Sequence, residues 1–414
     1  MRHNQMDHQK RIQCNIHGCI VLSEEARKII DTLEFQRLRE IKQLGTAFLV
    51  FPTATNTRFE HSLGVYHLAG RLLESLERNS TPEELRCRFS CETDGCSMRI
   101  SVRSKELIKI AGLCHDLGHG PLSHVFDEVT EGLPRHEIRS GRIFGMINKK
   151  YNLGFTDQEV QFVKDLIHPS DTQRGSAEYQ IICGVVDMDR CDYLLRDSRA
   201  LGIPITFNPD RLILDCKVLN GRLSFPVQMK YEVYNMFYSR YSLFKRVYNH
   251  KAVIAAQIMW SDILSSPEMN KEISALCADP EMFCELTDYR LNVLARGHPV
   301  YERFRCHKLY KLIGMVQQGQ DEPSELESLT CIRKVVNTGF SSMADDPFTD
   351  ISFYDYHHPT EDLRFTSQDV ALSPILFKEK VVYYFTRSED PVEIARLRQL
   401  FEEICIHKAR LDIC

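Results

Sequence analysis

The order of apolar and polar positions is dominated by the 3.6-residue repeat of helices. Between Glu24 and Leu44, apolar Ile29, Ile30, Leu33, Leu38 and Ile41 share a face, which predicts an amphipathic helix closed by Gly45 as its C-cap. "RFEHSLGVYHLAGRLLESLE", from Arg58, predicts a second, with Leu63, Tyr66, Ala69, Leu72 and Leu73 turned inward. A third begins with Ser104 as N-cap and carries Leu107, Ile108, Ile110, Ala111, Leu113 and Cys114. It is apolar nearly all round, so a central position is expected, and Gly120 and Pro121 stop it. Further helices are predicted from Glu178 to Ser198 and, rich in aromatics, from Lys230 to Leu264. Strand patterns are few: "GCIVL", "RLSFPV" near 222 and "VVYYF" at 381–385. Asp390 as N-cap and Pro391 at the first helical position then open a closing helix. The polar stretch from Asn79 to Met98 reads as a loop insertion, and no repeat or low-complexity tract interrupts the chain. The fold class expected is mainly α: a helical body over residues 10–265, a smaller helical and α+β lobe over 266–414, and a flexible N-terminus over 1–9.

Composition narrows the setting. With 414 residues, 43% hydrophobic, the chain can bury a large core. A net charge of −5 carries no general attraction for nucleic acid, although "FKRVYNHK" forms a local basic and aromatic patch suited to weak single-stranded binding. No run approaches the roughly 20 apolar residues needed to span a bilayer, and no apolar segment follows the charged N-terminus as a secretory signal would require. The 15 cysteines are therefore expected as reduced thiols in a cytoplasmic or nuclear protein without membrane attachment. Cys87, Cys91 and Cys96 lack zinc-finger spacing and read as a thiol-bearing loop.

Candidate chemistry concentrates in "HDLGHGPLSH", residues 115–124, directly after the apolar third helix. His115 and Asp116 are neighbours, so both reach one ion only if it sits at the helix end. His61 opens the Arg58 segment with Arg58 three residues before it on the same face. Asp187, Asp189, Asp192 and Asp197 crowd a largely apolar helix beside Arg190 and Arg196. Carboxylates there are costly unless paired or metal-bound. From the residues alone, an ion-pair network and a site stand about equal.

The order H…HD…D, with the blocks "FQRLREIKQLG", "VFP", "RFEHSLGV", "AGLCHDLGHGPLSH", "DMDRCDYLLRD" and "NMFYSRYSLFKRVYNHK", resembles the HD-domain superfamily of metal-dependent phosphohydrolases. It is most similar to the deoxynucleoside triphosphate (dNTP) triphosphohydrolases within it. The resemblance runs from about Lys10 to the C-terminus, dense to about Lys251 and thinner beyond, with no accessory domain expected ahead of it. It implies a divalent iron, zinc or manganese held by His61, His115, Asp116 and Asp189, and water attack on the α-phosphorus that releases a deoxynucleoside and triphosphate. It implies His124 and Asp127 as the proton-transfer pair, with His119 and His136 as neighbouring catalytic histidines. Arg58, Arg190 and Arg240 match phosphate-binding positions, Arg190 departing from the family's lysine. Gln43, Leu44 and Asp197 match substrate contacts, Gln43 and Asp197 at the sugar 3′-hydroxyl. Tyr193 and Tyr248 match residues that line the sugar; without the resemblance they read as core aromatics.

The resemblance also implies an oligomer, dimer or tetramer, activated by GTP and dNTP with magnesium. Lys10, Asp31, Gln36, Arg39 and Phe51 match a guanine-nucleotide pocket, although Asp31 and Arg39 read by themselves as an exposed helical face. Arg211, His250 and Lys251 remain from a second pocket. Pro226, Gln228, Glu232 and Thr386 replace its basic and amide groups, so altered activation is expected. Two other readings stay open: another nucleotide phosphohydrolase, and a non-catalytic nucleotide-sensing or nucleic-acid-binding protein.

Overall fold

The computed structural model describes residues 10–89, 100–130, 132–317, 331–341, 345–370, 374 and 376–411. Residues 1–9, and Cys91 and Cys96 with the rest of 90–99, lie outside them, as does the Cys87 side chain.

A hairpin of Arg11–Cys14 and Gly18–Val21 opens the chain, so the expected "GCIVL" strand has an antiparallel partner just upstream. The helix expected over 24–44 is broken. It spans only Glu24–Ile30, with Ser23 accepting from Ala26 N and Asp31 as its C-cap. The Thr32 hydroxyl donates to Ile29 O and accepts from Phe35 N, so it closes one helix and caps the short turn Leu33–Gln36. The tight turn Arg37–Glu40 follows. Gly45 takes φ +51°, but starts another tight turn, Gly45–Leu49, instead of capping a helix.

Two helices form the centre. Arg58–Asn79 begins in a capping box, Thr57 and Glu60 each bonding the other's backbone. Val102–Cys114 is capped by Ser101, one turn ahead of the expected Ser104, which is buried in the first turn. Its inward residues Leu107, Ile108, Ile110, Ala111, Leu113 and Cys114 are 0–1% exposed. His136–Lys150 and Asp157–Ile167 pack around it, and the short His124–Val129 helix follows the glycine-rich turn. Pro82–Phe89 is helical where a loop was expected.

The expected 178–198 helix is two, Ala177–Cys183 and Met188–Leu201, because Asp187 N-caps the second by accepting from Arg190 N at 2.7 Å. The expected 230–264 helix is also two, Lys230–Leu243 and Lys251–Leu264, joined by the wide turn Phe244–Tyr248. His250 Nδ1 accepts from Ala252 N and so caps the second helix at the break, while the Asn249 side chain donates to Thr338 Oγ1 at 2.6 Å.

Arg222–Pro226, an expected strand, pairs antiparallel with Lys217–Leu219 and parallel with Ser352–Tyr354. Lys378–Thr386, which contains the expected "VVYYF", is the middle strand of a second antiparallel sheet between Lys311–Gln317 and Cys331–Gly339. The closing helix, Pro391–Leu411, covers it: Ile394, Leu397 and Phe401 bury Ile313, Val316, Val382 and Tyr384. Asp390 caps that helix through Val392 N. The architecture is a mainly α body with a smaller C-terminal α+β region. No described helix is long and apolar enough to cross a membrane.

Candidate active site

The capping box fixes the first turn of the Arg58 helix, which sends Arg58 and His61 from one face into the interior. Val102–Cys114 ends with His115 at its C-cap, so His115 and Asp116 reach the same space from a helix terminus. Asp189 enters from the first turn of the Met188 helix. His61 Nε2 lies 3.0 Å from Asp189 Oδ1 and 3.7 Å from Asp116 Oδ2, and His115 Nε2 lies 3.4 Å from Asp116 Oδ1 and 3.6 Å from Asp189 Oδ1.

Both imidazoles have their other nitrogen engaged: His61 Nδ1 donates to Asp192 at 2.7 Å and His115 Nδ1 to Gly112 O at 2.8 Å. The two Nε2 atoms are buried and face only the carboxylates of Asp116 and Asp189, without a well-aligned hydrogen bond. Burial opposes charge on His61, yet Asp189 and Asp192 outweigh it and push its pKa up to about 10. The negative potential that holds a proton there also attracts a cation. Burial raises and Arg58 lowers the Asp116 carboxyl, which settles at about 2, and Asp189 is held well below its usual range against burial by His115 and His61. Ligand atoms of His61, His115 and Asp116 lie within 4.8 Å of one another, as do those of Asp116, His119 and His136. Two free imidazole nitrogens beside two ionised carboxylates fit a divalent transition metal.

These groups wall a cavity of about 410 Å³ shared with Gln43, Leu44, Arg58, His119, His124, His136, Arg190, Tyr193, Asp197, Arg240 and Tyr248. Arg58 is bound to Asp116 at 2.5 Å and to Ser123 Oγ at 2.8 Å. Arg190 is folded onto Val185 O and lies 3.4 Å from Asp187, while Arg240 Nη1 donates to Gly339 O at 2.5 Å and stacks over Phe244. Asp197 accepts from Tyr248 Oη at 2.7 Å and Asn56 Nδ2 at 2.9 Å. Gly118 makes room for this arrangement: a Cβ there would lie 2.2 Å from His136 O and 2.4 Å from Ser140 N. Leu122 and Ser123 take φ +59° and +52°, a strained turn that presents Ser123 to Arg58 and puts His124 in the cavity wall. Burial and nearby Arg58 lower the pKa of both His119 and His124, so both rings are neutral near pH 7.

Asp127 is not held by His124. Its partners are His136 Nδ1 at 3.2 Å and Arg139 Nη2 at 2.5 Å, because His136 opens the next helix and stacks on His119 with centroids 3.8 Å apart. The nucleotide-pocket candidates fall in groups. Lys10 pairs with Asp31 at 2.9 Å on the surface. Gln36 accepts from Arg39, whose guanidinium covers the Phe59 ring. Phe51 meets His250 edge-on, Lys251 begins its helix, and Arg211 faces Glu232 at 3.6 Å. Sequence reasoning missed Asn56 and Ser123, and treated Asp192 as one more ion-pair member. Asn56 and Ser123 carry no local signal, since their bonds reach 141 and 65 residues along the chain.

The HD-domain family model matches residues 58–197, the interval from the first wall arginine to Asp197. An HD-domain-containing protein of Acanthamoeba polyphaga mimivirus is 34% identical over 397 aligned residues, 84% of this chain and 86% of its own. The deoxynucleoside triphosphate triphosphohydrolase SAMHD1 homolog of Dictyostelium discoideum is 30% identical, over 91% of this chain and 77% of its own. The deoxynucleoside triphosphate triphosphohydrolase SAMHD1 of Homo sapiens is likewise 30% identical, over 97% and 74%.

Proposed function

This chain belongs to the HD-domain family, and on that premise we propose that it hydrolyses a dNTP to deoxynucleoside and inorganic triphosphate by water attack on the α-phosphorus. The observation that carries the reading is the pair of unpartnered Nε2 atoms, His61 and His115, facing Asp116 and Asp189 in a cavity rimmed by three arginines. Those four residues would hold a divalent metal, which when bound supplies Lewis acidity toward phosphoryl oxygen and water. Arg58, Arg190 and Arg240 bind the triphosphate, each exchanging a present acceptor for phosphate oxygens. His124, neutral and open to the cavity, handles the proton at the leaving 5′-oxygen, with His119, His136 and Asp127 ordering that side. Gln43, with a buried unpartnered Oε1, and Asp197 take the 3′-hydroxyl, while Leu44, Tyr193 and Tyr248 close around the sugar.

Residues 10–265 form the catalytic body and 266–414 the smaller lobe. A homo-oligomer takes a guanine nucleotide with magnesium at Lys10, Asp31, Gln36, Arg39 and Phe51. Nucleotide binding at Arg211, His250 and Lys251 is weakened, because Glu232 already occupies Arg211. The test is product analysis of metal-loaded protein given dGTP, with and without GTP, alongside Asp189→Ala. Deoxyguanosine and triphosphate, absent with the variant, are expected. Pyrophosphate or orthophosphate as product, or no turnover with metal bound, overturns the reading.

A further inference from the structure

Asp192 is fully buried behind the cavity wall, on the Met188 helix one turn after Asp189. Its Oδ2 lies 2.7 Å from His61 Nδ1 and its Oδ1 lies 2.6 Å from His17 Nε2. Arg196, one turn further on, closes the same carboxylate from below, Nε at 2.9 Å and Nη2 at 2.8 Å. An ionised carboxylate only accepts, so both histidines donate to it. The bond to His61 therefore holds a proton on Nδ1, so that Nε2, the atom that faces Asp189 and Asp116, is the nitrogen available to a cation.

Two further features show that this cradle is built. Gly64, three residues after His61, leaves the space Asp192 occupies: a Cβ there would lie 1.8 Å from Asp192 Oδ1 and 2.6 Å from Arg196 Nη2. His17 comes from outside the helical body, in the turn of the Arg11–Val21 hairpin, with its side chain 5% exposed. Its ring rests against His67, two turns along the helix that carries His61, with centroids 5.5 Å apart. The same hairpin holds Cys14, whose sulfur lies 3.7 Å from Arg196 Nη2. The hairpin thus touches both the donor and the guanidinium side of the Asp192 carboxylate.

We propose that His17 and Asp192 are a positioning pair for His61, so that the N-terminal hairpin is part of the metal site although it contributes no ligand. This rests on reading His61 as a metal ligand. Without His17, Asp192 Oδ1 keeps only Arg196, and the carboxylate is free to turn toward the guanidinium and away from His61.

The experiment uses the full chain and cobalt(II) as the probe, read by its visible absorption and by competition with a chelator. His17→Leu removes the donor and keeps the bulk; His17→Gln returns an N–H to the same place. His17→Leu is expected to weaken cobalt binding by about 10- to 100-fold and alter the visible band. The melting temperature of the metal-free protein should move little, and His17→Gln should recover most of the affinity. Unchanged affinity and spectrum in His17→Leu overturn the proposal. So does an equal fall in affinity and metal-free melting temperature in both variants, which makes His17 merely structural. If the parent protein takes up no cobalt, the ligand reading itself fails and the proposal with it.

Discussion

Asp197 holds one of the less comfortable charges in the cavity. It is 2% exposed, and burial pushes its carboxyl up to about 6 despite the bonds from Tyr248 and Asn56. Its folded pKa lies above the unfolded one, so the folded state binds the extra proton, and stability present below about pH 4 is lost as pH rises through about 6. Asp197→Asn cannot titrate. The stability difference between parent and variant should therefore shift by on the order of 3 kcal/mol, in favour of the variant, between pH 4 and pH 7. Urea unfolding across that range measures it, and a flat difference would mean Asp197 titrates normally. Gly118 makes a separate prediction. A methyl group there meets backbone atoms of the His136 helix, which cannot swing aside, so Gly118→Ala should cost about 3 kcal/mol and part His119 from His136.

The Arg58 helix presents two cavity-wall side chains, Arg58 and His61, from its first turn, the part of a helix most prone to fray. The Thr57–Glu60 box holds that turn closed. Thr57→Ala should lower stability by about 1 kcal/mol, read as a shifted denaturant midpoint at constant slope. Cobalt affinity should fall with it, since His61 lies in the turn released. The breaks between helices act at the same scale. The turn Phe244–Tyr248 is what brings Tyr248 Oη to Asp197, and the Asp187 cap starts a helix whose first turn presents Asp189.

At the scale of the whole molecule, the cavity gathers side chains from helices Arg58–Asn79, His124–Val129, His136–Lys150, Met188–Leu201 and Lys230–Leu243 and from the loops between them, so a metal held there would tie the fold together. A ligand that binds the folded chain alone stabilises it by about 2.7 kcal/mol at a hundred times its dissociation constant. Chelation should then lower the melting temperature of the loaded protein by several degrees. Asp189→Ala should not respond to chelator. An identical response in parent and variant would place the metal elsewhere.

What the sequence by itself determined is what short-range chemistry determines. The mainly α class follows from apolar periodicity, the closing helix from Asp390 and Pro391, and all the cavity-wall histidines, aspartates and arginines but His136 and Arg240 from three dense blocks, "RFEH", "HDLGHGPLSH" and "DMDRCDYLLRD". Tertiary structure decided the rest. Thr32, Asp187 and His250 cut long apolar patterns because a local cap competes with helix continuation, and periodicity does not register a cap. Strands Lys311–Gln317 and Cys331–Gly339 alternate too weakly to stand out; they form because Lys378–Thr386 lies between them. Asp127 finds His136 and Arg139 instead of His124 through the packing of two helices. The 175 residues between His17 and Asp192 leave no trace in either neighbourhood. Such a bond exists only once burial has removed water as the competing partner.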